Sequence, residues 1–197
     1  MCRALLAGTG LATPLAAQVS VSISAGVRFS TVLVHDQIVT PFNVRPAPAP
    51  ALALTAALPL DHPWSLAAVL DLSTSQVRRE DQGGGSQNIT NVTTAALGVG
   101  LGRSLAHWLS GSLRVGVLKY FPAANLGLFQ DGGPFFPFAQ AAVAVQPAIV
   151  SRFGLGLELR ADVHRFITDP LRVEGFSDAR PVERVAVAVT WTPGRRG

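Results

Sequence analysis

The densest run of chemically capable side chains lies in Phe153 to His164, FGLGLELRADVH, where Glu158, Arg160, Asp162 and His164 recur at every second residue. Two carboxylates, a guanidinium and an imidazole set so closely could move protons or neutralise one another. The spacing says what must hold them. Side chains two apart leave a β-strand on the same face, so these four share a face with Gly154 and Gly156, while Phe153, Leu155, Leu157, Leu159, Ala161 and Val163 line the other. In a soluble sandwich the charged face would meet bulk water. Here the same period recurs along nearly the whole chain, with a side rich in Leu and Val, which predicts an inside-out barrel: apolar toward lipid, polar toward its lumen.

Composition supports that choice. The chain has 197 residues and only 14% are charged, with a mean hydropathy of +0.34. It is too apolar for an ordinary soluble domain, yet no window holds the roughly 18 uninterrupted apolar residues of a spanning helix. A bilayer protein without helices must close its strands into a barrel, because lipid offers no partner to unpaired backbone groups. The basic balance, pI about 10.5, does not make nucleic acid a partner. The arginines are scattered over lumen positions, loops and the tail Arg195-Arg196, rather than gathered into one stripe. A positive excess instead suits anionic lipid headgroups.

Residues 1–18 read as a secretory signal: Met1-Cys2-Arg3, an apolar run from Ala4 to Leu15, then the small residues Ala16 and Ala17 before Gln18, with cleavage near Ala17 or Gln18. Cys2, the single cysteine, precedes the apolar run, which argues against a lipoprotein anchor and leaves neither disulfides nor cysteine metal sites. No metal constellation and no cofactor motif stands out. The barrel is then expected over 19–192, with 193–197 as a short tail.

Eight strands are predicted: Val19 to Val34, Ala51 to Leu60, Trp64 to Val77, Ile89 to Gly102, Trp108 to Tyr120, Phe135 to Val145, Phe153 to Phe166 and Glu183 to Thr192. Links after the first, third, fifth and seventh are long and polar: Asp36 to Arg45, Arg78 to Gln87, Phe121 to Gly133 and Ile167 to Pro181. The others are brief, and outer-membrane barrels show this asymmetry between external loops and periplasmic turns. Aromatic residues give a second sign. Trp64, Trp108, Phe153 and Trp191 collect at the short-turn rim, and Phe29, Tyr120, Phe135 and Phe166 at the other, as two membrane-interface girdles.

In signal peptide, alternation and loop asymmetry, Val19 to Trp191 resembles the small eight-stranded outer-membrane barrels of the OmpA and OmpX type. The resemblance implies an antiparallel up-and-down transmembrane β-barrel in the bacterial outer membrane, with lipid, lipopolysaccharide and the barrel-assembly machinery as partners. It does not specify an external ligand. Such barrels often end on an aromatic residue, whereas here Trp191 is followed by Thr192-Pro193-Gly194-Arg195-Arg196-Gly197.

An eight-stranded lumen is only wide enough for its own side chains. Arg28, Asp71, Arg114, Glu158, Arg160, Asp162, His164 and Arg184 point inward by parity, a near-balanced charge network that can plug the barrel. Asp71, Arg114, Glu158 and Arg160 fall at mid-height. Arg28, Asp162, His164 and Arg184 fall higher and are expected to form one cluster. The function expected is non-enzymatic: envelope structure, or recognition and adhesion through the long loops. The alternative is a narrow solute or ion conduit gated by the arginine–carboxylate cluster, with His164 as its titrating member. Some small outer-membrane barrels modify lipid A with a serine and histidine at the lipid-facing rim, but His164 points inward, and His35, His62 and His107 lie in a loop or turns without an adjacent serine and acid. A soluble lipocalin-like binder would need the two faces exchanged. Glu158→Leu or Arg160→Leu should lower the urea midpoint of unfolding more than the outward change Leu157→Val, because each strands a buried partner charge.

Overall fold

Eight strands of alternating polarity close into a ring. The computed structural model describes residues 19–36, 41–81, 83–125, 127–130, 133–176 and 178–193. Its strands are β1 (Ser20–Ser30), β2 (Val34–Asp36), β3 (Phe42–Pro46), β4 (Ala49–Pro59), β5 (Trp64–Asp81), β6 (Ser86–Ala106), β7 (Leu109–Pro122), β8 (Phe135–Val145), β9 (Leu155–Phe166) and β10 (Arg180–Trp191). The expected signal segment and the end of the tail lie outside the described residues. All pairings are antiparallel, and the ring runs β1, β4, β5, β6, β7, β8, β9, β10 and back to β1. Closure is made by β1 on β10, from Ile23 opposite Trp191 to Ser30 opposite Arg184, so the barrel wall has no free edge to meet lipid.

The outer face is apolar and exposed: Leu97, Val99, Leu113, Val115, Leu157, Leu159, Val187 and Val189 are each about half exposed or more. Their even-numbered neighbours Gly98, Arg114, Glu158, Arg160 and Ala188 are buried inside. This is the reverse of a soluble ligand-binding barrel, and it is the transmembrane β-barrel architecture that the alternation predicts.

The third and fourth expected strands run further than the sequence reading placed them, whereas the first ends at Ser30 rather than Val34 and the seventh begins at Leu155 rather than Phe153. Arg78 to Gln87, expected as a loop, is mostly hairpin: β5 continues to Asp81 and β6 begins at Ser86. Polar composition marked that stretch as loop, but a strand that has left the apolar belt needs no apolar face. Cross-strand pairing holds it, with Arg45 on Glu80 at 2.7 Å. Part of Asp36 to Arg45 is likewise strand. β3 lies on β5 from Phe42 opposite Asp81 to Pro46 opposite Val77, and β4 takes over on the same strand from Ala51 opposite Ser73. The handover falls at Ala47-Pro48, because a proline has no N–H to give the ladder. The result is a small sheet of β2, β3, β5 and β6 that stands beyond the barrel at the long-loop end. Short helices occupy two other links: α1 (Ala148–Ser151) after β8 and α2 (Asp169–Val173) after β9.

Gly98 shows how tightly the inward side is filled. A Cβ there would come within 3.0 Å of the Phe138 ring and 3.3 Å of the Val115 carbonyl. Gly98→Val is therefore expected to destabilise the barrel by about 1–3 kcal/mol. The check is the urea midpoint of its heat-modifiable gel band, with the outward change Leu97→Val as a near-neutral control.

Candidate functional site in the barrel lumen

The lumen is layered, and each layer follows from which inward positions carry large side chains. At mid-height Asp71 on β5 sits between Ala53 and Ala96 on its neighbouring strands. Those small residues leave room for two arginines to cross the lumen. Arg28 Nη2 donates to Asp71 Oδ2 at 2.6 Å and Arg160 Nη1 to the same oxygen at 2.8 Å. Arg28 also donates to Ser73 Oγ at 3.1 Å. Glu158 accepts from Ser24 Oγ at 2.7 Å and lies 3.6 Å from Arg160 Nε. Arg114 is held by Gln140 Oε1 at 3.0 Å, and its nearest carboxylate oxygen, on Glu158, is 3.9 Å away. Asp162 and Arg184, opposite each other on β9 and β10, pair at 2.6 Å.

Above these charges, toward the long loops, the filling becomes aromatic. Tyr120 Oη lies 2.8 Å from His164 Nε2, and the Tyr120 ring meets Phe129, Phe136 and Phe166 with centroids 5.5–5.9 Å apart. Phe129 comes from a 3-10 turn (Gly127–Phe129), Leu171 from α2 and Leu33 from the link between β1 and β2, so three of the connections contribute to one buried cluster with Phe138 and Val182. The space left among Arg28, Ser73, Thr94, Tyr120 and Arg184 is about 10 Å³, room for about one water.

Below the charges the lumen is open. A cavity of about 880 Å³ reaches the short-turn end, walled by Ser20, Ser22, Thr55, Ser65, Ser112 and Thr190 and floored by Arg114 and Glu158. It exists because the inward residues of this half are small, Ala57, Ala67, Gly102, Ala142 and Ala144 among them.

All eight inward ionisable residues predicted from parity are buried: Arg28, Asp71, Arg114, Glu158, Arg160, Asp162, His164 and Arg184. Their grouping differs from expectation. Arg28 and Arg184 share one hydrogen-bonded chain through Ser73 and Thr94, and Arg184 pairs with Asp162. The long Arg28 side chain also reaches across to Asp71 in the lower group, however, and the His164 ring bonds into the aromatic layer. The girdle also needs correction. Trp64, Trp108, Phe153 and Trp191 stand outward at the short-turn rim, as do Phe29 and Phe135 at the other. Tyr120 and Phe166 are 2% and 1% exposed and belong to the inner aromatic cluster. Both are even-numbered on strands whose odd positions face out, so the alternation itself turns them inward. The aromatic layer as a whole was missed, although Phe136 and Phe138 share the inward parity of Gln140. Outward cations sit over rim rings: Arg103 on Trp64 at 5.2 Å, Arg152 on Phe153 at 4.8 Å and Lys119 on Phe135 at 4.4 Å.

Ring closure, an apolar outer belt and an inward face that carries the buried charges define the fold as that of the small eight-stranded outer-membrane β-barrels. No family model matches the chain, and no curated protein matches it. Among solved structures it is similar to Ail, the attachment invasion locus protein of Yersinia pestis in complex with the heparin analogue sucrose octasulfate, with a TM-score of 0.53 at 11% identity over 89% of this chain and 99% of that one. It is also similar to the outer membrane protein OprG from Pseudomonas aeruginosa, at a TM-score of 0.47, with 10% identity over 88% of this chain and 95% of that one.

Asp71 is the only carboxylate within 3 Å of both Arg28 and Arg160 among the described residues. Asp71→Leu should cost about 3–5 kcal/mol, as expected for removing one partner of a buried ion pair. In urea titrations it should exceed Asp162→Leu, which strands Arg184 alone; an equal or smaller loss would contradict the bridging role.

Proposed function

We propose that this chain is a non-enzymatic protein of the bacterial outer membrane. Its lumen is plugged by a charge layer and an aromatic layer, and its long-loop end is presented outside the cell for recognition or adhesion. The observation that carries the reading is the pairing of an exposed apolar belt with a lumen filled toward the long loops. Leu113 on the outside is 71% exposed while Arg114 beside it is 7% exposed, a division that only a lipid solvent rewards. A conduit would need a continuous polar path. The cluster of Tyr120, Phe129, Phe136 and Phe166 offers ions an apolar barrier instead.

Recognition at the long-loop end is supported by the sheet that extends past the barrel. It carries Arg45, Arg78 and Arg79 with Glu80 and Asp81 on strands rather than on loose chain, which suits a surface meant to hold a shape. Lys119 between Phe121 and Phe135, 5.1 and 4.4 Å from their rings, suits the phosphates of lipopolysaccharide at the outer interface. Export by the signal read at residues 1–18 and insertion by the barrel-assembly machinery complete this reading, with Trp191 standing outward at the end of β10.

Two measurements test this. In planar bilayers the refolded protein should give no persistent conductance steps; stable steps that respond to Arg160→Leu would establish the gated conduit instead. On intact cells an epitope inserted at Gly84 should bind its antibody, and labelling only after permeabilisation would reverse the orientation.

A further inference from the structure

Charge is not evenly matched inside the barrel. Among the described residues four buried guanidiniums, on Arg28, Arg114, Arg160 and Arg184, meet three buried carboxylates, on Asp71, Glu158 and Asp162. The surplus can be located. Arg28, Arg160 and Arg184 each have a carboxylate oxygen at 2.6–2.8 Å. Arg114 does not: its strongest contact is the neutral amide of Gln140 at 3.0 Å, and Glu158 is 3.9 Å away. Glu158 is itself drawn to Ser24 and Arg160.

Arg114 is also the one of the four that lines the cavity at the short-turn end. The residue is 7% exposed, yet it forms the floor of a chamber of about 880 Å³, within the range of about 300–1,000 Å³ usual for small-molecule sites. Hydroxyls of Ser22, Thr55, Ser112 and Thr190 ring the chamber above that floor, each able to donate and to accept a hydrogen bond. Glu158, beside Arg114, can only accept. Arg103 and His62 line the exposed rim of the same cavity, which leaves Arg114 as its buried cation. A solute that fits has an anionic group for that guanidinium and several hydroxyls for the wall and the carboxylate.

We propose that the short-turn vestibule is a binding cup for a small polyhydroxylated anion, a sugar phosphate or a sugar acid, whose phosphate or carboxylate pairs with Arg114. The guanidinium presents planar N–H donors that match either anion in two parallel hydrogen bonds. Partial burial strengthens the pair relative to open water. Binding at this end leaves the charge and aromatic layers in place and requires no passage through the barrel. It also does not depend on the proposed recognition role or on orientation in the cell, since it can be measured on the refolded barrel in detergent.

The test is calorimetric titration of the full refolded chain in nonionic micelles with glucose 6-phosphate, glucuronate, glucose and inorganic phosphate. Glucose 6-phosphate and glucuronate should bind saturably at one site, each at least about tenfold more tightly than glucose or inorganic phosphate, a difference of about 1.4 kcal/mol. Arg114→Gln should abolish the saturable phase while keeping the heat-modifiable band. Gln140→Glu serves as a second variant, because it brings a carboxylate to Arg114 within the wall. It should leave the barrel at least as resistant to urea as the parent and still lose binding, a combination that a merely structural arginine would not give. Absence of saturable binding by the sugar phosphate and the sugar acid would overturn the proposal. So would binding retained in Gln140→Glu, or glucose or phosphate alone binding as well as the two anionic sugars.

Discussion

Everything in this barrel follows from the need to pair each backbone N–H and C=O where the solvent offers no hydrogen bonds. Closure of β1 on β10 satisfies the last wall edge, and once the ring is shut each strand has one face toward lipid and one toward a narrow interior. The outward side must then be apolar across the lipid belt, with aromatic rings and cations at its rims. The inward side carries the remaining chemical variety, and its variety is constrained by volume: in a ring of eight strands a large side chain on one strand requires small ones opposite. Asp71 between Ala53 and Ala96, and Phe138 against Gly98, are two solutions of that single packing problem.

The interior therefore divides by size and polarity. Where alanine and glycine dominate, space remains and water can enter. Where arginines cross the lumen, they tie strands that are not neighbours: Arg28 of β1 and Arg160 of β9 both end on Asp71 of β5. Where aromatic rings dominate, connections from outside the wall fold in, as Phe129 and Leu171 do. Buried charge is costly to desolvate, so the crossing pairs add definition to the barrel more than net stability. The rings above supply the apolar contact area that a thin barrel wall cannot provide for itself.

Period-two alternation made the fold legible. In Val19 to Phe29, Phe153 to His164 and Glu183 to Trp191 the parity read from the residues is the parity of the side chains, and the link lengths gave the alternation of long and short ends. The inward list was legible for the same reason. What parity cannot carry is reach. An arginine spans several ångströms beyond its Cβ, so its partner is set by the far wall: Arg28 meets Asp71 rather than Asp162. Tyr120 and Phe166 were misassigned by height alone when their numbering already turned them inward. The extension of β5 and β6 was hidden because composition separates apolar from polar, and beyond the membrane a polar segment is as fit for strand as for loop.

The hairpin of β5 and β6 crosses from the wall into the extension without losing its ladder. Its one irregularity is a bulge, where Val77 still opposes Thr90 and Arg78 already opposes Asn88. A bulge bends its strand and reverses which face the following residues occupy. At this position it acts as a switch of solvent: before it, alternation is read against lipid and lumen, and after it against water on one side and, through Val44 and Ile89, the inner cluster on the other. The tip beyond can change its residues without disturbing the register below, so the outer segment is free to diverge while the wall beneath it stays constrained.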